Sequence, residues 1–262
     1  MEFFESYGLI LIILAAGVGF VMAWGIGAND VANAMGTSVG SKALTIKQAI
    51  FIAMIFEFAG AYLAGGEVTS TIRKGIIDST YFIDIPEYLV LGMISSLLAA
   101  GIWLAVASWL GWPVSTTHSI IGAIIGFTAT GVSMDAVAWD KVGGIVGSWI
   151  VTPAISGIIA YLIFMSAHKL IFQTASPFAN AKRYVPFYMA LAGFVMSLVT
   201  IKKGLKHVGL ELSTVNGYLL AIAISVALGF LGKWFIGRMK FSGSEDADLQ
   251  AANVEKVFAL LM

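Results

Sequence analysis

The chain has 262 residues, 59% of them hydrophobic and 11% charged, with no net formal charge. Soluble domains carry about 25% charged residues, so an apolar excess of this size has to face lipid. Zero net charge leaves no basic footprint for nucleic acid, and the absence of cysteine excludes disulfides and thiol chemistry.

The start, Met1-Glu-Phe-Phe-Glu5, is acidic, unlike the basic head of a cleaved signal peptide, so the first apolar run reads as a retained membrane helix. Apolar runs follow at 7–28, 46–65, 88–110, 114–131, 142–168, 187–201 and 215–237. A helix needs roughly 20 residues to cross the hydrocarbon core, a length that 114–131 and 187–201 fall short of. The 114–131 run, punctuated by Gly122, Gly126 and Gly131, reads as a short span or a re-entrant hairpin. With seven single crossings, Lys42, Lys47, Lys169, Lys182, Arg183, Lys233, Arg238, Lys240 and Lys256 share one side, against Arg73, Lys74, Lys141, Lys202, Lys203 and Lys206. The excess places the first group in the cytoplasm; a re-entrant 114–131 segment would reverse the later loops.

These features predict an all-α integral membrane protein, a polytopic helical bundle with a broken helix and, at 114–131, either a short span or a re-entrant hairpin. Its transmembrane domain covers 1–240, a polar linker 241–256, and the start of a further, truncated membrane helix 257–262. A multi-pass protein with compact loops and no targeting features points to a bacterial inner membrane.

The first run leads into Trp24-Gly-Ile-Gly-Ala-Asn-Asp-Val-Ala-Asn-Ala-Met-Gly36. A carboxylate such as Asp30 costs about 2.5–3.5 kcal/mol within a membrane helix, so it requires a partner or a task. Gly25, Gly27 and Gly36 predict a broken helix lining a polar cavity, the construction transporters use for ion sites. If 28–38 is helical, Asp30, Asn33 and Thr37 share a face and offer the oxygen ligands that hard cations favour, with Asn29 and Ser38 beside them. The competing reading is a helix cap, for which Asn and Asp are equally suited. A lone Asn-Asp pair would favour the cap; the glycines and the second asparagine favour the ion site.

The second polar cluster is Gly111-Trp-Pro-Val-Ser-Thr-Thr-His118. Pro113 suits the first turn of a helix, and Ser115, Thr116 and Thr117 then add hydroxyls where backbone N–H groups lack intrahelical partners. That combination attracts an oxyanion. Ordinary capping and back-bonding are the alternative. The two clusters suit one substrate, because cations or a phosphate proton would reconcile Asp30 with an anion held by hydroxyls. Glu57 and His118 are accessory polar candidates, each also explained by a structural hydrogen bond. Thr69, Ser70 and Thr71 with Arg73 and Lys74 offer an entrance patch for anions, although a solvated loop explains them as well.

At these residues the chain resembles the inorganic phosphate transporter (PiT) family. Gly27-Ala-Asn-Asp-Val-Ala-Asn-Ala34 matches the family signature, Pro113-Val-Ser-Thr-Thr-His-Ser119 its second motif, and Lys42-Ala-Leu-Thr45 also agrees. The resemblance implies two inverted repeats that bind phosphate and coupling cations between them. It implies a symporter of inorganic phosphate, driven by Na⁺ or H⁺, with no other cofactor and no catalytic residue. Asn29, Asp30, Asn33, Ser115, Thr116 and Thr117 are carried over by motif. On our division of labour, Ser115, Thr116, Thr117 and Asp30 bind phosphate, and Asn29, Asp30, Asn33 and Thr37 hold the cation. The chain resembles the first half, so a second repeat or a partner chain is expected to complete the cage; a homodimer is also compatible. Sulfate permease, passive channel, membrane scaffold and intramembrane hydrolase (Ser115, His118, Asp30) are the competing functions.

Overall fold

The computed structural model describes residues 2–42, 44–204, 212–238 and Val254, with backbone alone for residues 2, 64, 66–74 and 203. Seven α-helices account for most of it: α1 (Glu2–Gly40), α2 (Ile46–Gly75), α3 (Pro86–Leu110), α4 (Thr116–Gly131), α5 (Trp139–Ala167), α6 (Pro177–Val199) and α7 (Thr214–Arg238). Six of the described helices are long and apolar enough to cross a membrane; α4, with 16 residues, is not. The chain is an all-α, multi-pass integral membrane protein. It divides into two units, Met1–Thr37 with Val68–Ser148, and Ser38–Glu67 with Trp149–Met262.

In the first unit α1 and α3 run parallel. Gly19 faces Leu97, Met22 faces Gly101 and Gly25 faces Leu104, so the contacts advance together along both helices. A Cβ on Gly25 would stand 3.0 Å from that of Leu104. Glycine here permits close helix approach, the usual role of small residues in membrane packing. This corrects the predicted break: α1 is one uninterrupted 39-residue helix through Gly25, Gly27 and Gly36. Met22, Ala100 and Leu104 form the buried seam, with Val114, Ile120 and Ala123 packed against it.

The α3–α4 hairpin returns on itself. Ser96 Oγ donates to the carbonyls of Gly92 (2.8 Å) and Ala123 (3.3 Å), and the Phe127 ring lies over Gly92 where any Cβ would collide. The 114–131 run is therefore the return arm of a hairpin, starting at its apex and ending beside the start of α3. An isolated bridge between Ile77 and Val137 joins the segments flanking the hairpin, bonded from Asp78 N–H to Ala136 O and from Ala138 N–H to Ile76 O. Nearby, the Thr80 hydroxyl and amide both donate to Asp78, which holds its carboxyl below the usual range.

In the second unit α6 and α7 pack antiparallel through small residues. Gly193 receives Leu228, Gly232 receives Met189, and Gly229 lies 3.1 Å from Ala190 Cβ by its added Cβ position. Ser225 Oγ donates to Ala190 O at 2.7 Å. Helix α6 starts ten residues before the apolar run at 187, because Pro177 opens its first turn and Lys182 and Arg183 extend their charges from the helix while Pro186 is accommodated inside it. Single π-turns at His168–Phe172 and Thr200–Gly204 end α5 and α6. The predicted linker 241–256 and further helix 257–262 lie outside the described residues, apart from Val254, which is buried with Ala167, Ile171, Ala181, Val185 and Ile236.

The Gly92–Phe127 contact is testable. Gly92→Ala should cost about 1–3 kcal/mol by overpacking and lower the melting temperature in detergent. Gly122→Ala, which meets nothing within 4 Å, should leave it unchanged or raised. Equal melting of the two variants would remove the hairpin's packing account.

Candidate functional site

The site lies wholly in the first unit, where the hairpin apex 111–115 meets α1. Helix α3 stops at Gly111, whose φ of 70° suits glycine, and the Trp112 amide closes the end by donating to Ala107 O at 2.8 Å. Pro113 stands outside the next helix, two residues before its cap. Ser115 is the N-cap of α4, its Oγ accepting from the His118 amide at 3.2 Å. Ser119 Oγ donates back to Ser115 O at 2.8 Å.

Asn29 fastens this apex to α1. It is 6% exposed, and its Nδ2 donates to Trp112 O at 2.9 Å while its Oδ1 accepts from the Val114 amide at 3.3 Å. Asn33 Nδ2 donates to the same Oδ1 at 3.3 Å, which fills both carbonyl lone pairs. One buried amide side chain thus satisfies two backbone groups of an apex whose residues 111–113 and 115 are exposed.

The next residue carries the charge. Asp30 is half-buried, and its Oδ2 accepts from Thr116 Oγ1 at 3.3 Å. Thr116 is the first residue of α4, so the carboxylate stands beside a helix N-terminus. The Thr116 and Thr117 amides there have no intrahelical acceptor, and the positive end of the helix dipole adds to their field. The Ser115 hydroxyl accepts through a lone pair when it caps α4, leaving its proton able to donate. Ser115 and Thr117 are both exposed at this end. One acid and a set of oxyanion donors therefore share a few ångströms.

Of the residues predicted from sequence, hydrogen bonds join Asn33 to Asn29 and Thr116 to Asp30, Asn29 reaches the apex backbone, and Ser115 caps the first turn of α4 at His118, with Thr117 between them. Thr37 is exposed two turns beyond Asp30 on α1. Glu57 is exposed on α2 and belongs to the second unit. The side chains of Thr69, Ser70, Thr71, Arg73 and Lys74 lie outside the described residues. What sequence reasoning missed is the backbone of Trp112 and Val114. The glycine-tryptophan-proline stop at 111–113 was the available signal, since a helix ending there needs new partners for its turn.

A bundle of apolar helices with a capped hairpin apex against an acid-bearing helix places the chain among polytopic membrane proteins. Comparison with known proteins makes it specific. The sequence model of the phosphate transporter family matches residues 26–262, and the chain belongs to that family. It is 53% identical over its whole length to a Haemophilus influenzae protein described as "Putative phosphate permease", and spans 62% of that protein. It is 46% identical over 168 residues to the inorganic phosphate transporter 2-1, chloroplastic, of Arabidopsis thaliana, covering 64% of this chain and 29% of that one. The solved structure titled "The sodium-dependent phosphate transporter" superposes with a TM-score of 0.85 at 37% identity, over 96% of this chain and 60% of that one. The family and these relatives are transporters and permeases, not enzymes, which removes the hydrolase reading.

The clamp predicts a local phenotype. Asn29→Ala leaves the Trp112 carbonyl and Val114 amide without their side-chain partner, at a cost of about 1–3 kcal/mol. The Val114 amide should then exchange with deuterium faster, with a lower melting temperature. Asn33→Ala should change neither strongly, and unaltered exchange at Val114 in Asn29→Ala would refute the clamp.

Proposed function

We propose that the protein carrying this chain imports inorganic phosphate by symport with Na⁺. The observation that supports it most is the Asp30–Thr116 hydrogen bond at the N-terminus of α4. A carboxylate beside free N–H and O–H donors repels a bare anion. A cation bound to the carboxylate turns that repulsion into attraction, so the anion and the cation favour each other's binding.

The roles differ slightly from those read in the sequence. Asn29 serves as the clamp, because its carbonyl already accepts two N–H groups. Asp30 is the charged cation ligand, with the Asn33 carbonyl one turn on and Thr37 at the outer edge. Ser115 and Thr117 hydroxyls, with the Thr116 and Thr117 amides, take phosphate oxygens. Thr116 Oγ1 links the two halves. Na⁺ is favoured over H⁺ by the hard-oxygen ligand set and by the similarity to a sodium-dependent transporter. The bacterial inner membrane fits the Haemophilus relative. The chain spans about three-fifths of the relatives that match it over most of its length, so the cage on the other side of the substrate belongs to the whole transporter.

The test is uptake of labelled phosphate by the complete protein in proteoliposomes. Asp30→Asn should reduce Na⁺-driven uptake by about ten- to a hundredfold, the loss of one charge-assisted interaction. Thr116→Val should fall by a smaller factor and Thr116→Ser should recover most of it. Uptake indifferent to Na⁺ but driven by a pH gradient would overturn the coupling ion. Preferential transport of sulfate would overturn the substrate.

A further inference from the structure

The second unit carries an apolar hollow along the seam between α5 and α6. It has a volume of about 510 Å³ and is lined by Leu162, Ile163 and Leu170 on one side and Tyr184, Phe187 and Leu191 on the other, with Arg183 in the same lining. The helices are tied at its centre by the 2.7 Å bond between Ser166 Oγ and the Tyr188 hydroxyl. An adjoining hollow of about 460 Å³ shares Ile163, Tyr188 and Leu191 and continues the apolar surface to Ile159 and Met196. Because α5 and α6 are both long and apolar enough to cross a membrane, these hollows lie at the depth of acyl chains.

Charge selects the occupant. Arg183 is exposed in the second turn of α6, its guanidinium 5.6 Å from the Tyr184 ring. Lys182 precedes it, 4.5 Å from the Phe178 ring centre, and Lys169 lies in the π-turn ending α5. Helix α7 brings Lys233 and Arg238 to the same end, since its Gly232 packs on Met189 and its Ile236 on the Ala181 and Val185 core. Five cations and the positive N-terminus of α6 therefore mark one end of the unit. From Trp149 to Arg238 the sequence has a single acid, Glu211, which falls between α6 and α7 in the sequence. These five cations also belong to the group that the excess of basic residues assigns to the cytoplasm, where anionic lipids gather.

We infer that the α5–α6 hollow binds one anionic phospholipid, with an acyl chain between Leu162, Leu170 and Phe187 and the headgroup phosphate against Arg183. An apolar slot alone accepts any chain; the arginine in its wall makes it selective for headgroup charge. The acidic run Glu245-Asp-Ala-Asp248 matches the charge and is followed by the apolar run 257–262, which makes this segment the competing occupant that the experiment has to separate. The inference stands independently of the phosphate reading, which concerns the other unit.

Native mass spectrometry of the complete protein, exchanged with phosphatidylglycerol or phosphatidylcholine of equal chain length, tests it. Wild type should retain phosphatidylglycerol at least about fivefold more strongly, the increment for one cation near a lipid phosphate. Arg183→Gln should abolish the preference and Arg183→Lys should keep most of it. Leu162→Trp, which fills the slot, should reduce retention of both lipids. Equal retention by wild type, or a preference unchanged in Arg183→Gln and Leu162→Trp, would overturn the site. So would efficient disulfide formation between two copies through Phe187→Cys in membranes, which would show that a second copy covers the slot. A preference that appears only when residues 243–248 are deleted would assign the cations to the tail instead.

Discussion

Everything at the site depends on one amide side chain holding a turn. Helix α3 ends and α4 begins within five residues, and the turn between them exposes backbone groups that a membrane interior would leave without partners. Asn29 answers the Trp112 carbonyl and the Val114 amide together, and the adjacent peptide bond then places Asp30 against Thr116. The position of the charge follows from the satisfaction of the backbone. That ordering explains why a signature with two asparagines surrounds a single acid.

Packing supplies the rigidity the clamp requires. Gly25 and Gly101 allow α1 and α3 to lie close together, and Gly92 accepts the Phe127 ring so that α4 is drawn back along α3. A side chain at Gly25 or Gly92 would keep the hydrophobicity and lose the approach. Small residues thus fix distances here, and the distances decide which polar groups meet. The second unit uses the same device at Gly193, Gly229 and Gly232.

Much of this architecture was legible as a pattern of apolar runs, because long hydrophobic stretches have few alternatives in a bilayer. The contact between Asp30 and Thr116 was legible too, from electrostatics alone: an unaccompanied carboxylate in lipid needs a hydrogen-bond donor or a cation near it. Two features were not. The glycines of 24–36 look identical whether they break a helix or let another approach, and only the packing partner Leu104 distinguishes the two. Asn29 likewise offers the same amide to a cation or to a turn; the choice depends on where Trp112 and Val114 arrive from more than eighty residues away. Helix α6 was read too short because its first turns carry lysine, arginine and proline, which tertiary packing and snorkelling accommodate.

The central claim is that one carboxylate links cation binding to anion binding. Calorimetric titration of phosphate into the complete, purified protein, with and without Na⁺ at constant ionic strength, measures that link directly. Na⁺ should tighten phosphate binding in the native protein, and the effect should vanish in Asp30→Asn while binding without Na⁺ persists. A variant that binds phosphate more tightly in Na⁺ to the same degree as the native protein would contradict the account.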